Sequence, residues 1–159
     1  MTATSSTGEM VEVEERNGWI ERATAGLIPY APTILRLFAG FIFLQYGLSK
    51  LPSPDGFASF VGSLGFPAPA FFAWLVIGLE TIGAVGLIVG LLVRPIALLF
   101  LVEMTVTSLL VKLPRGIAPA EGGAGLELDL LLWAIAAALV IVGAGRLSID
   151  RDVLRRDLI

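Results

Sequence analysis

The sequence predicts an all-helical integral membrane protein, a four-helix bundle with both termini in the cytoplasm. Of its 159 residues, 56% are hydrophobic and 16% are charged, whereas soluble domains average about 45–50% apolar and 25% charged residues. Four apolar stretches approach the roughly 20 residues that a helix needs to cross hydrocarbon. Lys and Arg are divided unequally between the two ends of these stretches, which predicts the orientation. A water-soluble fold of this length would expose large apolar patches.

The four predicted spans are separated by residues that favour turns. Proline and glycine cluster after the first span, before the second and before the fourth. Almost nothing joins the second span to the third, so these two must form a tight antiparallel hairpin around Arg94 and Pro95. The predicted spans cover residues 27–48, 70–93, 95–111 and 126–144.

Basic residues are more numerous on the side that carries the two termini. Three lie on the opposite side, namely Lys50, Lys112 and Arg115. Seven lie on the side of the termini: Arg16, Arg22, Arg94, Arg146, Arg151, Arg155 and Arg156. The positive-inside rule therefore places the termini in the cytoplasm and predicts a multi-pass protein of the bacterial inner membrane.

Two polar segments flank the predicted bundle at residues 27–146. Residues 1–26 contain more acidic than basic side chains, which is the wrong sign for a signal peptide. We expect a cytoplasmic tail there, disordered at its start, with a short surface helix at residues 17–25. Residues 147–159 are predicted to form a short cytoplasmic helix that Ser148 or Asp150 caps.

Composition excludes several classes of function. The chain has no Cys and no His, which removes thiolate nucleophiles, the usual zinc sites and haem ligation by these residues. We therefore predict no metal site and no covalently bound cofactor. A net charge of −3 is too weak to build the basic surface that nucleic acid requires.

Small residues in the spans predict close helix packing. Gly86 and Gly90 have the GxxxG spacing that lets helix backbones approach each other in lipid. Packing within one bundle is the simpler interpretation, and a dimer face in a homo-oligomer is the alternative.

Three ionisable residues lie deep within the predicted spans. Counted at 1.5 Å per residue, Arg36, Glu80 and Glu103 lie about 12, 15 and 12 Å inside their spans. An isolated charge there costs at least about 2.5–3.5 kcal/mol, so we expect these side chains to meet in the bundle interior. Arg36 would then pair with one carboxylate, and the other carboxyl would be protonated. Such a cluster either locks the helix register or binds a polar ligand and moves protons.

A second polar cluster is predicted at the outer mouth of the bundle. It consists of Lys50, Lys112, Glu127 and Asp129, at the ends of three spans. These residues are either interface charges in loose pairs or an anchor for a quinone head group or a small anion. Trp133 follows Asp129 by one helical turn, so an aromatic side chain lies beside these charges.

Motifs spread over residues 34–150 resemble one known family. They are Arg36 followed by Gly40, Tyr46-Gly47-Leu48-Ser49-Lys50-Leu51, Leu64-Gly65-Phe66-Pro67-Ala68-Pro69, Glu80 with Gly83, Gly90 before Arg94, Met104, Gly122-Gly123, and Gly143-Ala144-Gly145-Arg146-Leu147-Ser148-Ile149-Asp150. The sequence carrying them is similar to the DoxX family of small four-span bacterial membrane proteins.

The resemblance implies a membrane component linked to redox and sulfur metabolism. Some members are subunits of a thiosulfate-oxidising, quinone-reducing complex, and others look like membrane partners of soluble oxidant-defence and sulfurtransferase proteins. Lys112 departs from the pattern, since relatives often carry a His before the turn that is here Leu113-Pro114-Arg115-Gly116. A fixed charge replaces a titratable imidazole at that position.

Three functional hypotheses follow. The first is an accessory or quinone-associated subunit of a redox system, which needs a protein partner to deliver electrons because the chain has no electron-carrier motif. The second is a non-catalytic anchor or assembly factor for soluble partners. The third is a small proton-coupled transporter, in which the buried carboxyls would be coupling sites. Whether the chain is itself an enzyme stays open at this point.

Overall fold

A computed structural model of the chain describes residue 18 and residues 24–115 and 125–152. The described part is helical throughout, with no strand. Most of the predicted surface helix at residues 17–25, and the C-terminal segment beyond residue 152, lie outside the described residues.

The first spanning helix is followed directly by a second, shorter helix. A 3-10 turn, Ile28–Tyr30, leads into α1, Ala31–Lys50. Helix α2, Pro54–Ser63, follows after three residues, with proline in its first turn. Proline fits there because N–H groups in the first turn have no acceptor within the helix, so the lack of an N–H costs no hydrogen bond. Proline and glycine in this region predict turns only, so the sequence does not predict α2.

The second span is continuous but changes its winding near the middle. It consists of α3, Pro69–Gly78, a π-helical turn at Leu79–Gly83, and α4, Ala84–Val89. Gly90 ends it in the left-handed region, with φ at +76°, which glycine adopts without steric cost. A π turn inserts one extra residue, which rotates the side chains that follow and is frequent at functional sites.

The third span begins immediately afterwards, so the predicted tight hairpin is present. Helix α5, Val93–Thr107, continues into a second π-helical turn at Ser108–Lys112 and a 3-10 turn at Leu113–Arg115. Helix α6, Leu126–Val142, and the short α7, Ile149–Asp152, complete the described chain.

Three helices of the described part are long and apolar enough to cross a membrane. They are Ile28–Lys50, Pro69–Val89 and Val93–Lys112, which agree with the first three predicted spans to within a few residues. The predicted fourth span corresponds to α6, which has 17 residues.

Helices α1, α4, α5 and α6 enclose the core. Phe43 of α1 stacks on Phe100 of α5 with ring centroids 3.7 Å apart, and Ala39, Ala84 and Ala97 let the helices approach around this pair. The outward faces carry many exposed Leu, Ile, Val and Phe side chains. Such a surface suits lipid and not water.

Glycines make the closest helix contacts within the chain. A methyl group on Gly40 would lie 3.0 Å from the carbonyl oxygen of Ala84, and one on Gly86 would lie 2.6 Å from Ile96. Gly90 ends its helix, so it does not extend a flat GxxxG face together with Gly86. Gly86 therefore permits close helix packing within one bundle.

Candidate functional site

An apolar cavity of about 420 Å³ lies between the first three spans, at the end of the bundle that carries Lys50 and Lys112, and is partly covered by α2. Its lining is mostly aliphatic and aromatic, with a few ionisable side chains at one end. The aromatic residues of the lining are Tyr46, Phe57, Phe60, Phe66 and Phe72.

The cavity wall reaches the outer surface of the bundle. Leu75 of α3 and Leu99 and Val102 of α5 line the cavity, yet each is more than half exposed. All three lie on helices that are long and apolar enough to span the membrane. The cavity therefore opens sideways, at the level where lipid chains surround the protein.

Glu80 forms the centre of the polar end. It lies in the first π-helical turn and is 3% exposed. Its backbone lies against Gly47 of α1, where a methyl group would come within 2.8 Å of the Glu80 carbonyl carbon. The absence of a side chain at Gly47 therefore lets Glu80 approach the first span closely.

Lys50 at the end of α1 is the partner of Glu80. The two side chains form an ion pair and a hydrogen bond, with the Lys50 ammonium donating to the Glu80 carboxylate. The ammonium also lies 5.5 Å from the ring centre of Tyr46 and 5.2 Å from that of Phe57. These rings stabilise the cation and shield the pair from solvent.

Glu103 of α5 approaches the pair from the opposite wall. Its carboxyl group lies within hydrogen-bonding reach of that of Glu80, and a bond between the two requires a proton on one of the groups. The other oxygen of Glu103, Oε2, is buried and has no hydrogen-bond partner. The two carboxyls predicted to meet at membrane depth therefore do meet.

The structure divides the predicted outer-mouth cluster. Lys112 and Asp129 line the cavity and interact electrostatically with each other, and Asp129 has one buried oxygen, Oδ2, without a partner. Glu127 is exposed and is not part of the lining. Lys50 pairs with Glu80, so members of both predicted clusters form one site around the cavity. These members are Lys50, Glu80, Glu103, Lys112 and Asp129.

Arg36 does not belong to this site, contrary to the prediction. Its guanidinium donates to the carbonyl oxygens of Leu87, at 3.3 Å, and Leu147, and it interacts electrostatically with Asp150. The expected ion pair of Arg36 with a mid-membrane carboxyl is therefore wrong. Gly47, which lies beside Glu80, follows Arg36 by eleven positions, or about 16 Å along α1.

Asp150 closes the inner end of the bundle around Arg36. Its carboxylate accepts the backbone N–H groups of Leu92, at 2.8 Å, and Val93, at 3.0 Å. It therefore caps the start of α5, whereas the sequence predicted that Ser148 or Asp150 caps the C-terminal helix, inside which Asp150 lies. In return, the Asp150 N–H donates to the carbonyl of Gly90 at 3.0 Å. We call this group of Arg36, Gly90 and Asp150 the inner clasp.

Sequence reasoning missed the aromatic cover that α2 provides. Phe57 and Phe60 line the cavity from this helix. The signal was present, because Pro54 followed by Asp55 is a frequent start of a helix. Within the described residues, no group of three or more acidic side chains is placed to hold a metal ion.

Comparison with known proteins identifies the family. The DoxX family model matches residues 31–113. "Putative oxidoreductase CatD" of Bacillus subtilis (strain 168) is 34% identical over 122 residues, which cover 77% of this chain and 86% of the relative.

Two further relatives are named only as membrane proteins. "Uncharacterized membrane protein Rv3486" of Mycobacterium tuberculosis is 34% identical over 140 residues, covering 80% of this chain and 84% of the relative. "Inner membrane protein YphA" of Escherichia coli (strain K12) is 32% identical over 73 residues, covering 46% and 52%. No solved structure was found with significant similarity to the chain. With its three spanning helices and the family match over more than half of its length, this chain is a multi-pass membrane protein that belongs to the DoxX family.

Proposed function

We propose that the protein is an accessory, quinone-associated component of an inner-membrane redox system, and that its cavity is the quinone site. The observation that carries this proposal is the lateral opening of an apolar cavity with ionisable side chains at one end. A quinone has a flat polar ring and a long apolar tail, and it travels within the bilayer. The ring would lie at the polar end, with the tail leaving between α3 and α5.

The size and lining of the cavity support this ligand class. Its volume of about 420 Å³ falls within the roughly 300–1,000 Å³ of small-molecule sites, which are apolar with a few polar groups. The rings of Tyr46, Phe57 and Phe72 line it and offer flat surfaces against which a quinone ring can pack.

The carboxyl pair supports a role in proton exchange. Two-electron reduction of a quinone consumes two protons, and Glu80 and Glu103 already share one. Electrons must come from elsewhere, since the chain has no Cys, no His and no nucleotide-binding glycine motif. The proposal therefore includes a protein partner that delivers them. The name "Putative oxidoreductase CatD" and the name "Inner membrane protein YphA" are consistent with this assignment.

The proposal also includes the topology. We propose that α6 is the fourth span and that both termini are cytoplasmic. Leu130, Leu131 and Ile141 of α6 are half or more exposed, as expected of a helix with a lipid-facing side. In this orientation the inner clasp lies at the cytoplasmic face and the polar end of the cavity lies toward the outer face.

The test is the quinone content of the purified protein. The chain is purified from bacterial membranes in mild detergent, bound lipids are extracted, and quinone plus quinol is measured per mole of protein by mass spectrometry. In Val76→Trp, a bulky ring occupies the cavity from α3. The matched control is Val85→Trp, at an exposed site of α4 outside the lining.

Wild type and Val85→Trp should carry quinone, and Val76→Trp should carry about tenfold less. Equal amounts in both tryptophan variants would mean that the quinone is carried by the detergent micelle, and the proposed function would be wrong. Protein mass spectrometry of the same preparations identifies the partner.

A further inference from the structure

We infer that the cavity prefers the reduced, dihydroxy form of its ligand, a benzoquinol, over the oxidised quinone. This inference rests on the proposed function and adds the chemical state of the ligand. The two forms share shape and tail but differ in hydrogen bonding. A quinol donates two hydrogen bonds, whereas a quinone has only acceptor oxygens.

The first reason is the position of the proton in the carboxyl pair. Glu80 forms an ion pair with Lys50, so Glu80 is the carboxylate of the two. The proton of the hydrogen bond between the carboxyls therefore belongs to Glu103 and points at Glu80. The remaining Glu103 oxygen, Oε2, is then a carbonyl oxygen, which can only accept.

The second reason is that the unpartnered oxygens of the lining are acceptors. Glu103 Oε2 and Asp129 Oδ2 are buried without a hydrogen-bond partner, and both residues line the cavity. Asp129 is 6% exposed, so water has little access to its carboxylate. A buried acceptor without a donor is unfavourable, and a ligand hydroxyl removes that penalty whereas a ligand carbonyl does not.

The third reason is that two donors beside the carboxyl pair already have acceptors. The Lys50 ammonium donates to Glu80, and the Thr107 hydroxyl donates to the backbone carbonyl of Glu103 at 2.9 Å. A quinone carbonyl would have to compete with the Glu103 backbone for the single hydroxyl proton of Thr107, and with the Glu80 carboxylate for the charge of Lys50. The polar end of the cavity therefore complements a donor better than an acceptor.

The experiment compares a short-tailed benzoquinone with the benzoquinol made from it by chemical reduction. Each is titrated into the purified full-length protein in the same detergent under argon, and the dissociation constants are measured by calorimetry. Val76→Trp provides the heat of partition into micelles, which is subtracted. The quinol titration contains excess reductant, which is harmless because the chain has no cysteine, and the quinone titration contains none.

We expect the quinol to bind about tenfold or more tightly than the quinone, as one or two newly satisfied buried acceptors imply. Glu103→Met, which removes the acceptor, should bring the two constants together, and Glu103→Gln, which keeps an acceptor oxygen, should restore part of the preference. Glu127→Met is the matched control outside the cavity and should keep the full preference. Thermal unfolding of each variant shows that it is folded before titration.

The outcomes separate the two proposals. Equal binding of both forms, or tighter binding of the quinone, overturns the inference on redox state and leaves the quinone site in place. An unchanged preference in Glu103→Met overturns the role of Glu103. Failure of both forms to bind overturns the proposed function together with this inference.

Discussion

Replacement of Asp150 should destabilise the bundle from its inner end. The carboxylate accepts two backbone N–H groups at the start of α5, those of Leu92 and Val93. Leu92 is 42% exposed, so in Asp150→Ala water can replace its lost bond. Val93 is 0% exposed, so its N–H would stay buried without an acceptor. The loss of a helix cap costs about 1 kcal/mol, and an unsatisfied buried donor costs about 1–3 kcal/mol.

Asp150→Ala should therefore lower the unfolding free energy by about 2–4 kcal/mol. The loss is measured by titrating the detergent-solubilised protein with a denaturing detergent and following the unfolding by circular dichroism. Asp150→Asn keeps one acceptor oxygen and should lose about half as much. Asp55→Ala is the control, because Asp55 is an exposed first-turn residue of α2 without a side-chain cap bond, and it should lose no more than about 1 kcal/mol. A loss below about 0.5 kcal/mol in Asp150→Ala would refute the assignment of Asp150 as the cap of α5.

Two further predictions concern glycines and use the same assay. Gly90→Ala should lower the unfolding free energy by about 3 kcal/mol and Gly65→Ala by about 1 kcal/mol. Both glycines have positive φ, but only at Gly90 would the methyl group overlap Arg36. Equal losses in the two variants would show that the inner clasp is loosely packed. Gly47→Ala should cost about 1–3 kcal/mol by pushing the first π-helical turn away from α1, whereas Gly78→Ala, with open space around it, should be neutral. An unaffected Gly47→Ala protein would contradict the close approach that places Glu80.

The site was only partly predictable from the chain. Glu80 and Glu103 were expected to meet, because buried ionisable groups in a membrane are driven together, and they do. Arg36 was assigned to them by counting residues from the start of each span, which assumes that all helices begin at one level. Gly47 and not Arg36 lies beside Glu80, so that count failed, and Lys50, predicted as an interface charge, is the actual partner.

Local sequence suffices to predict that the chain is helical and apolar enough to enter a membrane, and where its first three spans run. These properties depend on local composition, because a backbone in hydrocarbon must satisfy its own hydrogen bonds within each helix. The pairing of the charges, the cover that α2 forms over a cavity and the capping of α5 by Asp150 are visible only in the folded bundle. Those contacts depend on the rotation and axial shift of one helix against another. The π turns and the close glycine contacts set this rotation and shift. Counting residues within a single span cannot predict them.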